Sequence, residues 1–394
     1  MKNTTIALLS ALCLLASCGQ KTEQGAIPVF DVQAAIDNKK PFDLLDIANS
    51  LEFIPLQRGE NNEYLVGNIR KIAESADKFY LSDGASNPIK VFSKEGVYLS
   101  SVGSIGRGAN QMPFISDFTV DYRRDAIYAY TSSVGVIAYN TQGEIFAQND
   151  SIKSSPILFN DGELVQFKEE AEREPKPESE KTLLEIFSPE LKFKGSVKTL
   201  DKGATESLTL STSGGTTTFF LPSGVLFGDG SSLFVKETLS DTVFSYQPSG
   251  VLTPAYRLDM GRYFIPAEAF GPAPEIVWNE DYHSIIELFP GQNYILIYLA
   301  SYADGSRSSD YLILDKSAPA DGFMATGRNH QSGLFLDGIK FKPMYVRDNR
   351  LVGFIESINI VDNAEQITDP DLKALAATLT ENDNPVIVVM KLKK

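Results

Sequence analysis

The chain has 394 residues, 43% of them hydrophobic and 22% charged, with 36 basic against 51 acidic side chains and a formal charge of −15. These values exclude a disordered chain, a collagen and a multi-spanning membrane protein. The acidic balance argues against nucleic acid as a partner, because such binders need a basic surface to displace counterions from phosphates.

The first 17 residues read as a secretory signal. Lys2 supplies the charged start, and Ile6 to Leu15 forms an apolar run too short to cross a bilayer. The run ends in Leu15-Ala16-Ser17-Cys18. That tetrapeptide resembles the lipobox of bacterial lipoproteins, which implies cleavage before Cys18 and acylation of its thiol and its new amine. Cys13 leaves with the signal, so no other thiol remains in the mature chain, which suits an oxidising compartment. Residues 18–26 read as a polar tether. The expected location is the cell envelope, as an outer-membrane lipoprotein facing either the periplasm or the outside, with the membrane as a partner through the lipid anchor.

Residues 27–394 read as one domain. Short apolar and aromatic runs alternate with Gly, Asn, Asp and Ser turns, and helical periodicity is scarce, which is the pattern of an all-β protein. One turn recurs. "VFSKEGVYL" turns at Gly96, "AYNTQGEIF" at Gly143, "IFSPELKFK" at Leu191 and "FSYQPSGVL" at Gly250, with a degenerate copy, "LILDKSAPA", at Ala318. The glycine copies suit a hairpin position with positive φ.

A period near 50 residues with about four strands per unit predicts a β-propeller. The first blade is "IRKIAES", "KFYLSDG", "IKVFSKE" and "VYLSSVG", and the second is "SDFTVDY", "AIYAYTS", "GVIAYNT" and "EIFAQND". The third runs from Pro156 to Thr199, the fourth from Thr217 to Met260 and the fifth from His283 to Thr326. The sixth has only "KPMYVRD", "LVGFIES" and "PVIVVMKLK"; its missing outer strand is supplied by "LEFIPLQ", Leu51 to Gln57. The architecture expected is therefore a six-bladed propeller closed by strands from both ends of the chain, which removes the last sheet edges. Two excursions interrupt it. Glu169 to Lys181 is charged and proline-bearing. One short C-terminal helix is inserted in the last blade: Asp369 caps it, Pro370 opens it, and Leu372, Leu375, Ala376 and Leu379 line one face.

The segments "FIPLQ", "VFSKEGVYLSSVGSIGRGANQM", "DTVFSYQPSGVLTPAYRLDMGRYFIP" and "ENDNPVIVV" resemble the six-bladed propeller lipoproteins of Bacteroides-type bacteria, which are related to NHL-type propellers. The resemblance spans nearly the whole mature chain. It implies the fold and an envelope location, and it carries no settled reaction. The "GRG" of that family commonly continues Pro-Gly-Glu; here Ala109-Asn110-Gln111 stands instead.

Loops between blades, and loops between second and third strands, open at one end of a propeller channel. Three blade junctions carry the same dipeptide, Gly106-Arg107, Gly261-Arg262 and Gly327-Arg328, and a loop of the second kind adds Arg307. Arginine forks suit carboxylate or phosphate, so these residues are candidates for an anion-binding mouth. The competing expectation pairs each arginine with Asp83, Asp117 or Asp121 on a neighbouring blade. Trp278, with Tyr263, Phe264 and Phe270, could stack on a sugar or plug the space between blades. His283 and His330 lie near blade junctions; two histidines are short of a three-ligand catalytic metal site. No catalytic residue, metal site or cofactor is assigned. The function expected is a binding or scaffold module for an anionic small ligand, a peptide, a glycan fragment or a partner protein. The alternative is an NHL-propeller-type lyase or hydrolase with a metal in the central channel.

Overall fold

The computed structural model describes residues 27–108, 110–168, 182–198, 208–212, 215–219, 224–248, 250–266, 282–303 and 306–394. The segments expected to be a signal and a tether lie outside them with Cys18, as does Glu169 to Lys181. The chain opens with β1 (Val29–Asp31), α1 (Val32–Asp37), β2 (Lys39–Pro41) and β3 (Ala48–Pro55). Asp31 starts α1 by accepting from the Ala34 amide at 2.7 Å, and Val32, Ala35 and Ile36 bury one side of it.

Six antiparallel sheets follow. The first holds β4 (Lys71–Glu74), β5 (Lys78–Ser82), β6 (Ile89–Ser93) and β7 (Tyr98–Val102). The second holds β8 (Asp117–Asp121), β9 (Ala126–Thr131), β10 (Gly135–Tyr139) and β11 (Ile145–Asn149). The third holds β12 (Ile157–Asn160), β13 (Glu163–Phe167), β14 (Thr182–Phe187) and β15 (Phe193–Lys198). A separate hairpin comes next, β16 (Leu208–Thr212) with β17 (Gly215–Phe219). The fourth blade holds β18 (Gly224–Gly228), β19 (Leu233–Glu237), β20 (Thr242–Gln247) and β21 (Val251–Asp259). It therefore opens at Gly224 rather than at Thr217, which belongs to the hairpin. The fifth holds β22 (His283–Pro290), β23 (Tyr294–Ala303), β24 (Ser306–Asp315) and β25 (Ala318–Thr326). The short β26 (Leu334–Leu336) then pairs with the start of β27 (Ile339–Arg347), which continues into the sixth blade with β28 (Arg350–Ile355) and β29 (Val386–Leu392). The first strand of each blade touches that of the next, β4 to β8, β12, β18, β22, β27 and back to β4. These six strands surround the central channel.

Closure is as the sequence predicts. β3 adds to β29 as the outer strand of the sixth blade, with Ile387 opposite Ile54 and Val389 opposite Glu52. Asn384, buried before β29, fastens the seam. Its amide nitrogen donates to the Gln57 and Tyr64 carbonyls, both at 2.9 Å, and its oxygen accepts from the Val66 amide at 2.8 Å. The expected helix is α3 (Pro370–Ala376), with Asp369 accepting from the Asp371 and Leu372 amides; a shorter α2 (Ser357–Asp362) precedes it. The sequence reading did not include β1 and β2, which add in parallel to the outer edges of β21 and β25. The N-terminal segment thus straps the fourth and fifth blades before completing the sixth.

The core is six apolar layers, one between each pair of neighbouring blades. Successive side chains of a strand point to opposite faces, so one strand feeds two layers. In β29, Val386, Val388 and Met390 face the fifth blade, whereas Ile387 and Val389 face the first. Each fully buried Leu, Ile, Val or Phe contributes about 1.5–3 kcal/mol.

The repeated turn has one conformation in four blades. Gly96, Gly143 and Gly250 have φ of 83°, 78° and 86°, and Leu191 has φ of 58°. A leucine is strained there, but its side chain is buried between the second and third blades and its carbonyl accepts from the Asn149 amide group at 2.8 Å.

Candidate functional site

The two ends of the channel differ. At the end formed by the turns joining first to second strands, carboxylates are committed to partners across blade seams. Glu74, buried at the end of β4, meets Lys94 at 2.5 Å, Arg350 at 2.9 Å and Arg347 at 3.6 Å, tying the first blade to the sixth. Desolvation lowers the Lys94 ammonium below its ordinary value, although Glu74 pulls the other way. Asp125 accepts from Lys78 and Tyr80 of the first blade. Burial opposes its charge, but these hydrogen bonds prevail and hold its carboxyl below the usual range. Glu163 accepts from Lys194 and from Tyr246 of the fourth blade.

The opposite end is the mouth, where blade junctions and the loops between second and third strands open. Asp117 on β8 is paired there: it accepts from Lys71 of β4 at 2.6 Å and from the Ile157 amide of β12 at 2.9 Å. Glu287 on β22 is not. Ile286 is an extra residue in the pairing of β22 with β23, since Ile285 faces Leu299 and Glu287 faces Tyr298. Such a bulge re-aims the side chain beside it. Solvent reaches Glu287, which has no hydrogen bond or ion pair among the described residues. The cations that act on it are Lys342 of β27, Lys71 and Arg307. Lys71 stands two blades away on the inner strand β4. Enclosure raises the Glu287 carboxyl above its ordinary value, against the pull of these cations.

The mouth has further parts. Lys342 is exposed, donates to the Ile69 carbonyl at 3.3 Å, and lies 5.5 Å from the centre of the Phe354 ring. A second bulge, at Met344, follows it in β27. Burial raises the Glu356 carboxyl despite Lys342 nearby. Outward from Glu287 along the same sheet row stand Tyr298 and Tyr311, stacked with centroids 4.9 Å apart and planes at 28°.

The residues chosen from the sequence fall in several places. Arg107 and Arg328 are exposed in blade junctions, without an ion pair among the described residues. Gln111 shapes the loop around Arg107: its oxygen accepts from the Gly108 amide at 2.8 Å, and a Cβ on Gly106 would lie 2.2 Å from that oxygen. Arg307 is exposed at the start of β24 and acts on Glu287. Arg262 is engaged with the strap instead: it donates to Asp37 at 2.7 Å and to the Tyr263 hydroxyl at 2.6 Å. The aspartates considered as arginine partners have others. Asp83 pairs with Lys90 at 2.5 Å, Asp117 with Lys71, and Asp121 accepts from the Arg123 and Arg124 amides. His283 meets the edge of Tyr263 at 5.0 Å between centroids, and His330 sits in an exposed turn with φ of 58°. Among the described residues no group of three or more His, Cys, Asp or Glu is placed to hold a metal ion. Tyr263 and Phe264 pack into the layer between the fourth and fifth blades; Trp278 lies outside the described residues. A concavity on the fourth blade is lined by Asp241, Asp259 and Phe264, but Asp241 is bound to Arg257 at 2.5 Å and Asp259 to the Gly261 amide at 3.1 Å.

The sequence pattern of DUF4934, a domain of unknown function, matches residues 27–391. The chain belongs to the DUF4934 family. No curated protein matches this DUF4934 sequence. Among solved structures it is similar to a candidate exported protein of Bacteroides fragilis, at 17% identity and a TM-score of 0.62 over 91% of this chain and 99% of that one. That likeness shows a shared fold. A DUF4221 family member from Bacteroides vulgatus matches at 12% identity and 0.46, covering 88% and 97% of the two chains. Virginiamycin B lyase from Staphylococcus aureus matches at 10% and 0.39, covering 86% and 99%. Neither carries an argument about the chemistry of the DUF4934 chain.

Proposed function

We propose that this protein is a lipid-anchored binding module of the cell envelope, which takes its ligand or partner at the mouth of the channel. The observation that carries this reading is the contrast in pairing. Among the described residues, Glu287, Arg107 and Arg328 have no ion pair at the mouth, whereas Glu74, Asp125 and Glu163 at the other end are consumed in blade seams. Charged groups without internal partners are free to serve a ligand. The signal and Leu15-Ala16-Ser17-Cys18 support export and anchoring, and so does the fold likeness to a candidate exported protein.

The test has two arms. Cys18→Ser should move the protein from the membrane to the soluble fraction; a variant still membrane-bound refutes the anchor. A thermal-shift screen with peptides, glycan fragments and small anions should return ligands whose effect is weakened by Arg107→Ala or Arg328→Ala. Ligands indifferent to every mouth substitution would move the site elsewhere.

A further inference from the structure

The mouth groups around Glu287 form a set with a definite polarity. Lys71, Arg307 and Lys342 are positive, and Asp117, Glu287 and Glu356 are negative. The signs balance. Lys71 is compensated by Asp117 at 2.6 Å, but Glu287 forms no ion pair with Lys342, Lys71 or Arg307. A gap wider than a salt bridge therefore separates the Glu287 carboxylate from cations on two other inner strands and at the start of β24.

Opposite charges held apart in a protein-walled space are complementary to a ligand whose own charges are separated. An ion of one sign would answer only one side of the gap and leave the other without a partner. A molecule carrying an ammonium at one end and a carboxylate at the other leaves the balance unchanged and answers both sides. Tyr298 and Tyr311, stacked on each other, stand outward of Glu287 along the same sheet row. The bulge at Ile286 is the local feature that re-aims the side chain of an inner strand otherwise used for packing.

We propose that Glu287 on β22 and Lys342 on the touching inner strand β27 form a subsite for a zwitterionic amino-carboxylate such as a free amino acid or short peptide. Its ammonium lies on Glu287 and its carboxylate on Lys342. This rests on reading the mouth as the binding end.

The probe is L-alanyl-L-alanine, titrated calorimetrically into the full-length protein. The controls are its N-acetyl derivative, its methyl ester, succinate, putrescine and N-acetylglucosamine. The dipeptide should bind, and capping either end should weaken it at least about tenfold. Glu287→Gln should cost the dipeptide a similar factor and leave the N-acetyl derivative unchanged. Lys342→Gln should do the same with the methyl ester as its matched control. Melting curves of both variants check that the fold is intact. The proposal is overturned by no binding of the dipeptide in the millimolar range, or by binding indifferent to both substitutions. Binding of succinate or N-acetylglucosamine that mouth substitutions abolish, without the dipeptide, overturns the zwitterion subsite and leaves the mouth as the binding end. If no probe binds and the screen returns nothing sensitive to the mouth, both readings fail.

Discussion

Glu74 and Glu287 are both glutamates on inner strands of the ring, and their surroundings are opposite. Glu74 is buried and answered by three cations drawn from two blades. Glu287 is reached by solvent and is answered by none at contact distance among the described residues. The same residue type thus closes the ring at one end of the channel and stays uncommitted at the other. An uncommitted charge contributes little to stability, so the difference between the two ends marks where selection for something other than folding could act.

Substitutions at the two ends test that division. Glu74→Ala should be the most damaging, because it leaves Arg347, Arg350 and Lys94 mutually repelling in the seam between the first and sixth blades. A loss of about 3–5 kcal/mol in chemical unfolding is expected. If the variant unfolds like the parent, the seam is held by its apolar layer alone. Asp117→Ala should come next, at about 1–3 kcal/mol, since the Ile157 amide and Lys71 lose their acceptor. A value near zero would mean that the mouth tolerates unpaired groups throughout, and the contrast would blur.

Glu287→Gln should have the smallest effect, within about 0.5 kcal/mol. Its signature is pH dependence. The native carboxyl titrates above its ordinary value of 4.5, so between that value and the raised native one the folded state holds a proton that the unfolded state releases. The Glu287 contribution to stability therefore falls as pH rises through that window. Glu287→Gln should remove that part of the slope, as read from unfolding curves at several pH values. An unchanged slope would mean that the raised value is not a property of the folded mouth.

The blades were legible because they rest on local signals. The turn at Gly96, Gly143 and Gly250 needs a left-handed residue, and buried strands read as apolar runs whatever their neighbours. Even the Leu191 copy kept the polar residues on either side of its turn. Closure was legible because an orphan strand at each end of the chain had one place to go. The strap was not: "VFD" and "KKP" are three residues each and have no alternation, and their pairing with β21 and β25 depends on residues hundreds of positions away. A signal for α1 was present, since Asp31 precedes Val32, Ala35 and Ile36 at helical spacing. Arg262 shares its dipeptide with Arg107 and Arg328, yet the strap supplies Asp37 to it alone. Glu287 has no motif; what distinguishes it is a bulge, and a bulge is a property of two strands together rather than of one.

The seam also dictates when the protein can finish folding. β1, β2 and β3 leave the ribosome first, but their partners are β21, β25 and β29, and Asn384 fastens to Tyr64 across 320 residues. The strap can lie on β21 and β25 once the fourth and fifth blades are made, but until the final strand is available β3 has no partner and the seam between the sixth and first blades stays open. Ring assembly is therefore a late event dominated by distant contacts, of the kind that folds slowly. A chain of this design cannot close its ring until β29 has been made, so its first and last strands act as one latch.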